Sequence, residues 1–289
     1  MVLKGSAYAL GAGTVINAIA TWKGAAFGID LKTYADVELN EDTSVIQGSV
    51  GGMPDADTSL IERSVSYVLD HFGIKMGGTV TTRSEVPLAS GLKSSSAAAN
   101  ASVLATLAAI GEELAPFDAV KTGVRAALDS GVTITGALDD ACASFYGGFV
   151  VTDNREMELL KRTEHEYEVL IFSPEVRSFS SDTNVSRSQT IAPWVDIAYD
   201  LSLKGEYQMA MTLNGFLYCA ALGFDTEFLM RALDIGVKGV TLSGTGPSYV
   251  ALVNEDQVAE LKCAWDACGV SGSVIKTKVN NKGAEQIRP

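Results

Sequence analysis

The stretch "PLASGLKSSSAAANA", residues 87–101, decides how the rest of the chain is interpreted. Before it, "GTVTTRSEVP" (78–87) predicts a strand that ends at a proline, and after it residues 95–110 predict a buried, alanine-rich helix. A helix that follows a glycine turn presents unpaired N–H groups and the positive end of its dipole. Gly91 permits a backbone geometry that a Cβ atom would forbid. The stretch therefore predicts a site that holds phosphate groups.

Three serines follow Lys93 at the start of this helix. Their hydroxyls can cap the helix, donate to phosphate oxygens or bind a magnesium ion. Lys93 can neutralise phosphate or lie at the surface. The alternative interpretation is an ordinary serine-capped helix. The phosphate loop GxxxxGK[ST] is absent, and "GAGTVI" (11–16) lacks the last glycine of GxGxxG, so a nucleotide bound here would be held in another way.

The composition excludes several classes of partner. A net charge of −13 over 289 residues argues against a nucleic-acid or anionic-membrane partner, because both require a basic face. Four scattered cysteines without a CxxC pair favour a reducing, cytoplasmic location, and only two histidines disfavour a zinc site. Apolar residues at the N-terminus could suggest a signal peptide, but three glycines and Asn17 interrupt them and favour strands.

The order of the predicted elements indicates an α+β protein with helices on one face of a sheet. Residues 1–40 predict short strands separated by glycines, and a soft domain boundary falls near residues 155–165. "GVTLSGTGPSYVALV" (239–253) predicts two short strands around a glycine turn. Helices are predicted over residues 57–72, 116–130, 193–204, 206–222, 225–235 and 255–268.

A second segment with candidate catalytic residues is "DSGVTITGALDDACASFYGG", residues 129–148. It places Asp129, Asp139 and Asp140 before a pair of glycines. Transfer of a phosphoryl group to an alcohol requires positioning, a metal ion to spread the phosphate charge and often a base near the hydroxyl. The two adjacent aspartates could instead cap the next helix.

Two motifs together resemble those of the GHMP kinases. "PLASGLKSSSAA" resembles the second motif of that family, P-x-x-x-G-L-x-S-S-A-A, and "LSGTGPSYVAL" (242–252) resembles the third, about 150 residues later. "GLKSSSA" resembles the archaeal shikimate kinase branch. The resemblance implies a two-domain GHMP kinase fold, with an N-terminal mixed βα domain over residues 1–158 and a ferredoxin-like C-terminal domain over residues 159–289.

The resemblance also implies an activity: ATP- and Mg²⁺-dependent phosphorylation of the 3-hydroxyl of shikimate, in aromatic amino-acid synthesis. A homoserine or mevalonate kinase of the same superfamily, and a non-catalytic protein that binds a small molecule on this fold, are the alternatives. Asp140 lies seven residues before Gly147, the spacing of the catalytic aspartate, while Asp139 is one residue out of register. The implied magnesium ligands are Asp129, eleven residues earlier, and Ser95, with Ser94 as the alternative to Ser95.

The remaining implied residues bind ATP or the substrate. Gly244, Thr245 and Gly246 would close over phosphates or substrate, although a plain hairpin turn is the alternative. Arg177 would grip a carboxylate, unless it is a solvated surface arginine. The ATP-binding residues implied by the second motif are Pro87, Leu88, Ala89, Ser90, Gly91, Leu92, Lys93, Ser94, Ser95, Ser96 and Ala97.

The first motif of the family is altered in this chain. Where many members carry a lysine and then Gly-Glu-His, this sequence reads "GSAYALGAG" (5–13). Ser6 falls near the lysine position, and Ala12 and Gly13 replace Glu-His. Lys4 and Lys93 are the candidates to compensate for the missing lysine.

Overall fold

The computed structural model describes residues 2–87, 90–175 and 185–287 of the chain. The strands are β1 (Leu3–Ile16), β2 (Lys23–Asn40), β3 (Ile46–Val50), β4 (Gly77–Ser84), β5 (Phe149–Asp153), β6 (Glu158–Thr163), β7 (Glu168–Pro174), β8 (Gly239–Leu242), β9 (Tyr249–Val253), β10 (Gly272–Lys278) and β11 (Glu285–Ile287). The helices are α1 (Ser59–His71), α2 (Ser94–Ile110), α3 (Pro116–Asp129), α4 (Leu138–Tyr146), α5 (Val185–Gln189), α6 (Ala192–Lys204), α7 (Tyr207–Leu222), α8 (Glu227–Asp234) and α9 (Val258–Asp266).

The first sheet is built on the antiparallel pair of β1 and β2, strands of 14 and 18 residues. Its strand order is β11-β1-β2-β4-β3, with β5 on the other half of β2 and β6 beside β5. β3 runs parallel to β4 and the other pairs are antiparallel, so the sheet is mixed, as predicted. The mixed α and β architecture predicted from the sequence is confirmed.

The prediction of short strands at the N-terminus is wrong, because the glycines there lie inside two long strands. A Cβ atom on Gly5 would lie 2.2 Å from the carbonyl oxygen of Ala105 in α2, and one on Gly13 would lie 2.4 Å from the ring of Phe27. These glycines therefore mark places where a helix or a ring approaches the strand closely, rather than the ends of strands.

Helix α2 lies against β1 and β2 and is buried over most of its surface. Its small side chains allow this close approach. The buried Asn100 donates from Nδ2 to the carbonyl oxygen of Ala141 at 2.9 Å, which joins α2 to α4. The fold thus holds the start of α2 and the start of α4 in a fixed relation.

The second sheet has the order β10-β7-β9-β8 and is antiparallel throughout. In chain order this is the 4-1-3-2 arrangement of a ferredoxin-like fold. Its core contains the buried rings of Phe172, Phe228 and Trp265, and the Trp265 indole donates to the carbonyl oxygen of Phe228 at 2.9 Å.

The two sheets are joined twice by the chain. β6 pairs with β5 in the first sheet, so the predicted division between residues 158 and 159 falls at the first residue of β6. After β10 the chain returns, and β11 pairs with residues Ser6–Tyr8 of β1. In the described ranges, no helix combines the length and apolar character needed to cross a membrane.

Candidate active site

Three turns meet where the two sheets adjoin: the turn before α2, the turn that joins β8 to β9, and the link between β1 and β2. The turn before α2 lies between β1 and the turn that joins β8 to β9. The N–H of Ala12 donates to the carbonyl oxygen of Leu92 at 3.1 Å, and Ser243 Oγ donates to the carbonyl oxygen of Gly91 at 2.9 Å. Gly91 has φ +79°, and a Cβ atom there would lie 2.2 Å from the carbonyl oxygen of Ser243. The second and third motifs are therefore in direct backbone contact.

The link between β1 and β2 holds the third-motif turn on its other side. The N–H of Gly244 donates to Thr14 Oγ1 at 2.8 Å, and Asn17 Nδ2 donates to the carbonyl oxygen of Gly244 at 2.7 Å. Asn17 also accepts from the N–H of Ile19 through Oδ1, at 3.0 Å. Its backbone N–H donates to Asn214 Oδ1 of α7 at 3.0 Å. Asn17 therefore joins both sheets at the site.

The N-terminus of α2 is open. The first hydrogen bond of the helix runs from the N–H of Ala97 to the carbonyl oxygen of Lys93 at 3.1 Å, so the amides of Ser94, Ser95 and Ser96 have no acceptor within the helix. Lys93 occupies the N-cap position with φ +66°, and no side chain caps the helix. The capping role considered for the serines is therefore not observed. Their amides and hydroxyls are available to an anion, which the helix dipole attracts.

Two aspartates occupy the first turn of α4, beside Lys93. The Lys93 ammonium lies 3.1 Å from Asp140 Oδ1, and the two side chains are only 11% and 13% exposed. Ala137, the residue before α4, has φ +47°. Both Lys93 and Ala137 thus adopt a left-handed backbone that is costly for a side chain with a Cβ, and such strain is concentrated at functional sites.

Asp139 and Asp140 line a small cleft between the three turns. Lys93 lies in this cleft, and a Cβ atom on Gly244 would lie 2.9 Å from its ammonium nitrogen. The other lining residues are Asn17, Ala18, Ile19, Thr133, Ile134, Thr135, Ala137, Gly244 and Thr245. The cleft thus brings together the predicted Asp140, Lys93, Gly244 and Thr245.

The electrostatics of the cleft suit proton transfer near neutral pH. Burial raises the pKa of Asp140 to about 7; Lys93 acts in the opposite direction and Asp139 in the same direction. Burial also raises the pKa of Asp139. A carboxylate with a pKa near the ambient pH is an effective general base, because about half of it is ionised and it still has affinity for a proton.

Asp129, the predicted magnesium ligand, is not among the residues that line this cleft. It ends α3, where its carboxylate accepts a hydrogen bond from the Tyr67 hydroxyl and lies 3.8 Å from Arg125 Nε. Its side chain is 45% exposed, and Ser95 is exposed as well. Both therefore offer accessible oxygen atoms, the donors that magnesium prefers. Across the described ranges, no group of three or more His, Cys, Asp or Glu residues is arranged to hold a metal ion.

Three predicted residues fall outside the described residues: Leu88 and Ala89 of the second motif, and Arg177. Two residues that the sequence analysis missed lie at the site. Asn17 was visible only as a polar interruption of an apolar stretch. Asn154, which donates to Asp139 Oδ1 at 2.9 Å, carried no signal beyond its place after a strand.

Comparison with known proteins places this site in a family. Residues 59–148, which contain the α2 turn and Asp140, match the family model of the GHMP kinases N terminal domain. The shikimate kinase of Methanococcoides burtonii is 67% identical over 287 residues, covering 99% of this chain and 100% of that protein. The shikimate kinase of Methanosarcina mazei is 66% identical, covering 98% of this chain and 97% of that protein.

Solved structures agree on the fold. A homoserine kinase from Cytophaga hutchinsonii superposes with a TM-score of 0.76 at 19% identity, over 98% of this chain and 97% of that one. The mevalonate kinase of Methanococcus jannaschii superposes with a TM-score of 0.73 at 18% identity, over 97% of this chain and 98% of that one. With the fold, both motifs and the close relatives in agreement, the chain belongs to the GHMP kinases, in the branch formed by the archaeal shikimate kinases.

Proposed function

We propose that this protein is a shikimate kinase: it transfers the terminal phosphoryl group of ATP to the 3-hydroxyl of shikimate, giving shikimate 3-phosphate and ADP for aromatic amino-acid synthesis. One structural observation carries the proposal. The buried Asp140–Lys93 pair lies where the open N-terminus of α2 meets the third-motif turn. A candidate base and a helix end suited to phosphate are thus adjacent, an arrangement that favours phosphoryl transfer to an alcohol.

Asp140 is proposed as the catalytic residue, accepting the proton of the acceptor hydroxyl. Its position in the first turn of α4 is fixed, and its pKa of about 7 allows it to be ionised and still take a proton. Lys93 supplies positive charge where negative charge accumulates on the transferred group and on the attacking oxygen. This is the compensation for the lysine that the first motif lacks.

The phosphates of ATP are proposed to bind at the start of α2. The amides of Ser94, Ser95 and Ser96 are unpaired within the helix, and Lys93 adds a positive charge beside them. The other residues proposed to surround the phosphates are Pro87, Leu88, Ala89, Ser90, Gly91, Leu92 and Ala97. Ser95 and Asp129 would hold a magnesium ion, which spreads the negative charge of the phosphates when bound.

The third-motif turn is proposed to contact the substrate. Thr245 is buried and lines the cleft beside Lys93, and Gly244 and Gly246 flank it. Arg177 is proposed to hold the carboxylate of shikimate by a bidentate contact. We also propose a cytoplasmic location, with which the unpaired state of all four cysteines is consistent.

The experiment that tests this function is ADP release by the purified protein with shikimate, homoserine or mevalonate. We expect release with shikimate and little or none with the other two alcohols. Equal turnover of homoserine or mevalonate would refute the substrate assignment. ATP binding without turnover of any of them would indicate a non-catalytic binding protein.

The same assay tests Asp140. Asp140→Asn keeps the size of the side chain but removes its basicity, so kcat should fall by ~10²–10⁴-fold while the affinities for ATP and shikimate change much less. Asp118→Asn is the matched control, since Asp118 is an exposed aspartate in the first turn of α3. A kcat of Asp140→Asn close to that of the control would refute the assignment of Asp140 as the general base.

A further inference from the structure

One wall of the cleft has no part in the chemistry proposed above. It is formed by the link between β1 and β2, residues 17–22, from which Asn17, Ala18 and Ile19 line the same cleft as Asp140. All three side chains are buried, and the link carries no charged residue. Phosphates bind to cations and groups of open N–H donors, whereas small apolar side chains suit a carbon skeleton. This wall is therefore suited to the carbon part of a substrate.

The link is folded into a tight turn with a left-handed residue at its end. The N–H of Trp22 donates to the carbonyl oxygen of Ala18 at 2.7 Å, and the N–H of Ile19 donates to Asn17 Oδ1 at 3.0 Å. Trp22 has φ +65°. A bulky residue rarely adopts this region of the backbone map, and it stays there only where the surrounding structure holds it. The turn therefore needs support from outside the link.

Helix α7 supplies that support through two side chains on one of its faces. Tyr218 Oη donates to the carbonyl oxygen of Asn17 at 2.8 Å and accepts from the N–H of Ala20 at 3.2 Å. The tyrosine side chain is fully buried. Asn214, one turn earlier on α7, accepts from the N–H of Asn17 through Oδ1 at 3.0 Å. One hydroxyl thus bridges two backbone groups three residues apart, and both apolar residues of the wall lie between them.

We propose that Tyr218 is a positioning residue for the acceptor substrate: its hydroxyl holds the wall formed by Ala18 and Ile19 in the shape against which the carbon ring of shikimate packs. The inference rests on the proposed function, because Asp140 in the same cleft is the proposed base for the acceptor hydroxyl. Without the Tyr218 hydroxyl, two buried backbone groups lose their partner and the wall is free to shift. Such a shift would misalign the acceptor with its base and with the transferred phosphoryl group.

The test compares Tyr218→Phe with Tyr207→Phe in steady-state kinetics in which shikimate and ATP are varied separately. Tyr218→Phe keeps the buried ring and removes only the hydroxyl. We expect its kcat/KM for shikimate to fall about tenfold. Its KM for ATP should stay within about twofold of the wild-type value, because the wall carries no charged group to hold phosphates.

Tyr207 provides the matched control on the same helix. It is buried at the start of α7, its hydroxyl lies 2.8 Å from Thr163 Oγ1 of β6, and it is not among the residues that line the cleft. Tyr207→Phe therefore removes an equivalent hydroxyl contact between α7 and the first sheet. Both of its KM values and its kcat should remain those of the wild-type protein.

A double-mutant cycle with Ile19→Ala tests whether Tyr218 acts through the wall. Ile19→Ala removes a side chain that the hydroxyl is proposed to hold against shikimate. Tyr218→Phe should therefore lower kcat/KM for shikimate much less in that background than in the wild-type protein. Additive losses in the double variant, or an equal rise of KM for shikimate and ATP in Tyr218→Phe, would show a merely structural role and overturn the proposal.

Failure of this inference and failure of the proposed function give different results. A wild-type protein that neither binds nor phosphorylates shikimate refutes the proposed function, and the inference with it. A wild-type protein that is active with shikimate, together with Tyr218→Phe kinetics equal to those of Tyr207→Phe, refutes the inference alone. If Tyr218→Phe does not fold, Asn214→Ala, which removes the acceptor of the Asn17 N–H, is measured in its place with the same outcomes.

Discussion

Replacing Gly91 by alanine tests the contact between the second and third motifs. Gly91 has φ +79°, and its new Cβ would lie 2.2 Å from the carbonyl oxygen of Ser243 and 3.0 Å from that of Gly246. Both contacts are with backbone atoms, which cannot rotate away as a flexible side chain could. The turn before α2 and the third-motif turn must therefore move apart.

The loss of folding stability in Gly91→Ala has two parts, and a second glycine of the same helix allows them to be measured separately. A left-handed residue with a Cβ costs roughly 1–2 kcal/mol. Forcing extra volume into a packed contact costs a further ~1–3 kcal/mol. Gly111 ends the same helix with φ +71°, and a Cβ atom there would meet no other atom within 4 Å, so Gly111→Ala carries only the first part. We therefore expect Gly91→Ala to be the less stable variant by ~1–3 kcal/mol.

Denaturant unfolding of the two variants measures this difference, and steady-state kinetics measure its effect on the site. A displacement of about 1 Å at the start of α2 should lower kcat/KM for ATP by ~10²-fold in Gly91→Ala, because phosphoryl transfer depends on alignment. Gly111→Ala, at the far end of the helix, should retain wild-type kinetics. Equal unfolding free energies and unchanged kinetics in the two variants would refute the reasoning.

Three further predictions concern individual side chains. Ser95→Ala should lower kcat/KM by about ten- to a hundredfold through loss of a charge-assisted contact worth ~1.5–3 kcal/mol. Its stability in denaturant should change little. Unchanged kinetics would mean that Ser94 or Ser96, rather than Ser95, contacts the phosphates. Because Asp140 must be ionised to act and its pKa is raised to about 7, kcat/KM should fall about tenfold per unit below that pH, and a flat pH–rate profile would contradict the assignment. Asn17→Ala removes the donor to Gly244 and should lower the free energy of unfolding by ~1–3 kcal/mol in urea; wild-type stability would mean that Asn17 does not join the sheets.

Local signals in the sequence predicted most of the helices, although α4 and the short α5 were not among those predicted. The predicted start of α3 at Pro116 and the predicted stop of α1 before Gly73 are confirmed to within a residue or two, because proline and glycine act on the backbone next to them. Of the motif residues predicted to bind phosphate, Lys93, Ser94, Ser95 and Ser96 lie at the open end of α2. The spacing from Gly147 also selected Asp140, and the structure has this residue in the cleft.

Contacts between distant residues could not be read in the same way. Lys93 meets Asp140 across 47 positions of the chain, and Asn17 meets Gly244 across 227. Neither pairing leaves a local pattern, since it depends on how α2, α4 and the sheets pack. The strands of residues 1–40 were predicted too short for the same reason. Gly13 and Gly24 resemble turn residues, but in the structure they make room for Phe27 and Asp139.

The return of β11 to β1 has a consequence for how the protein is made. During synthesis the edge of β1 at residues Ser6–Tyr8 cannot find its partner until the second sheet has been translated. At ~5–20 residues per second, that interval is on the order of tens of seconds. Until then an unpaired strand edge is exposed on the nascent chain, and such edges promote aggregation. We therefore expect a ribosome-bound chain stalled before residue 285 to engage chaperones that the finished protein no longer needs.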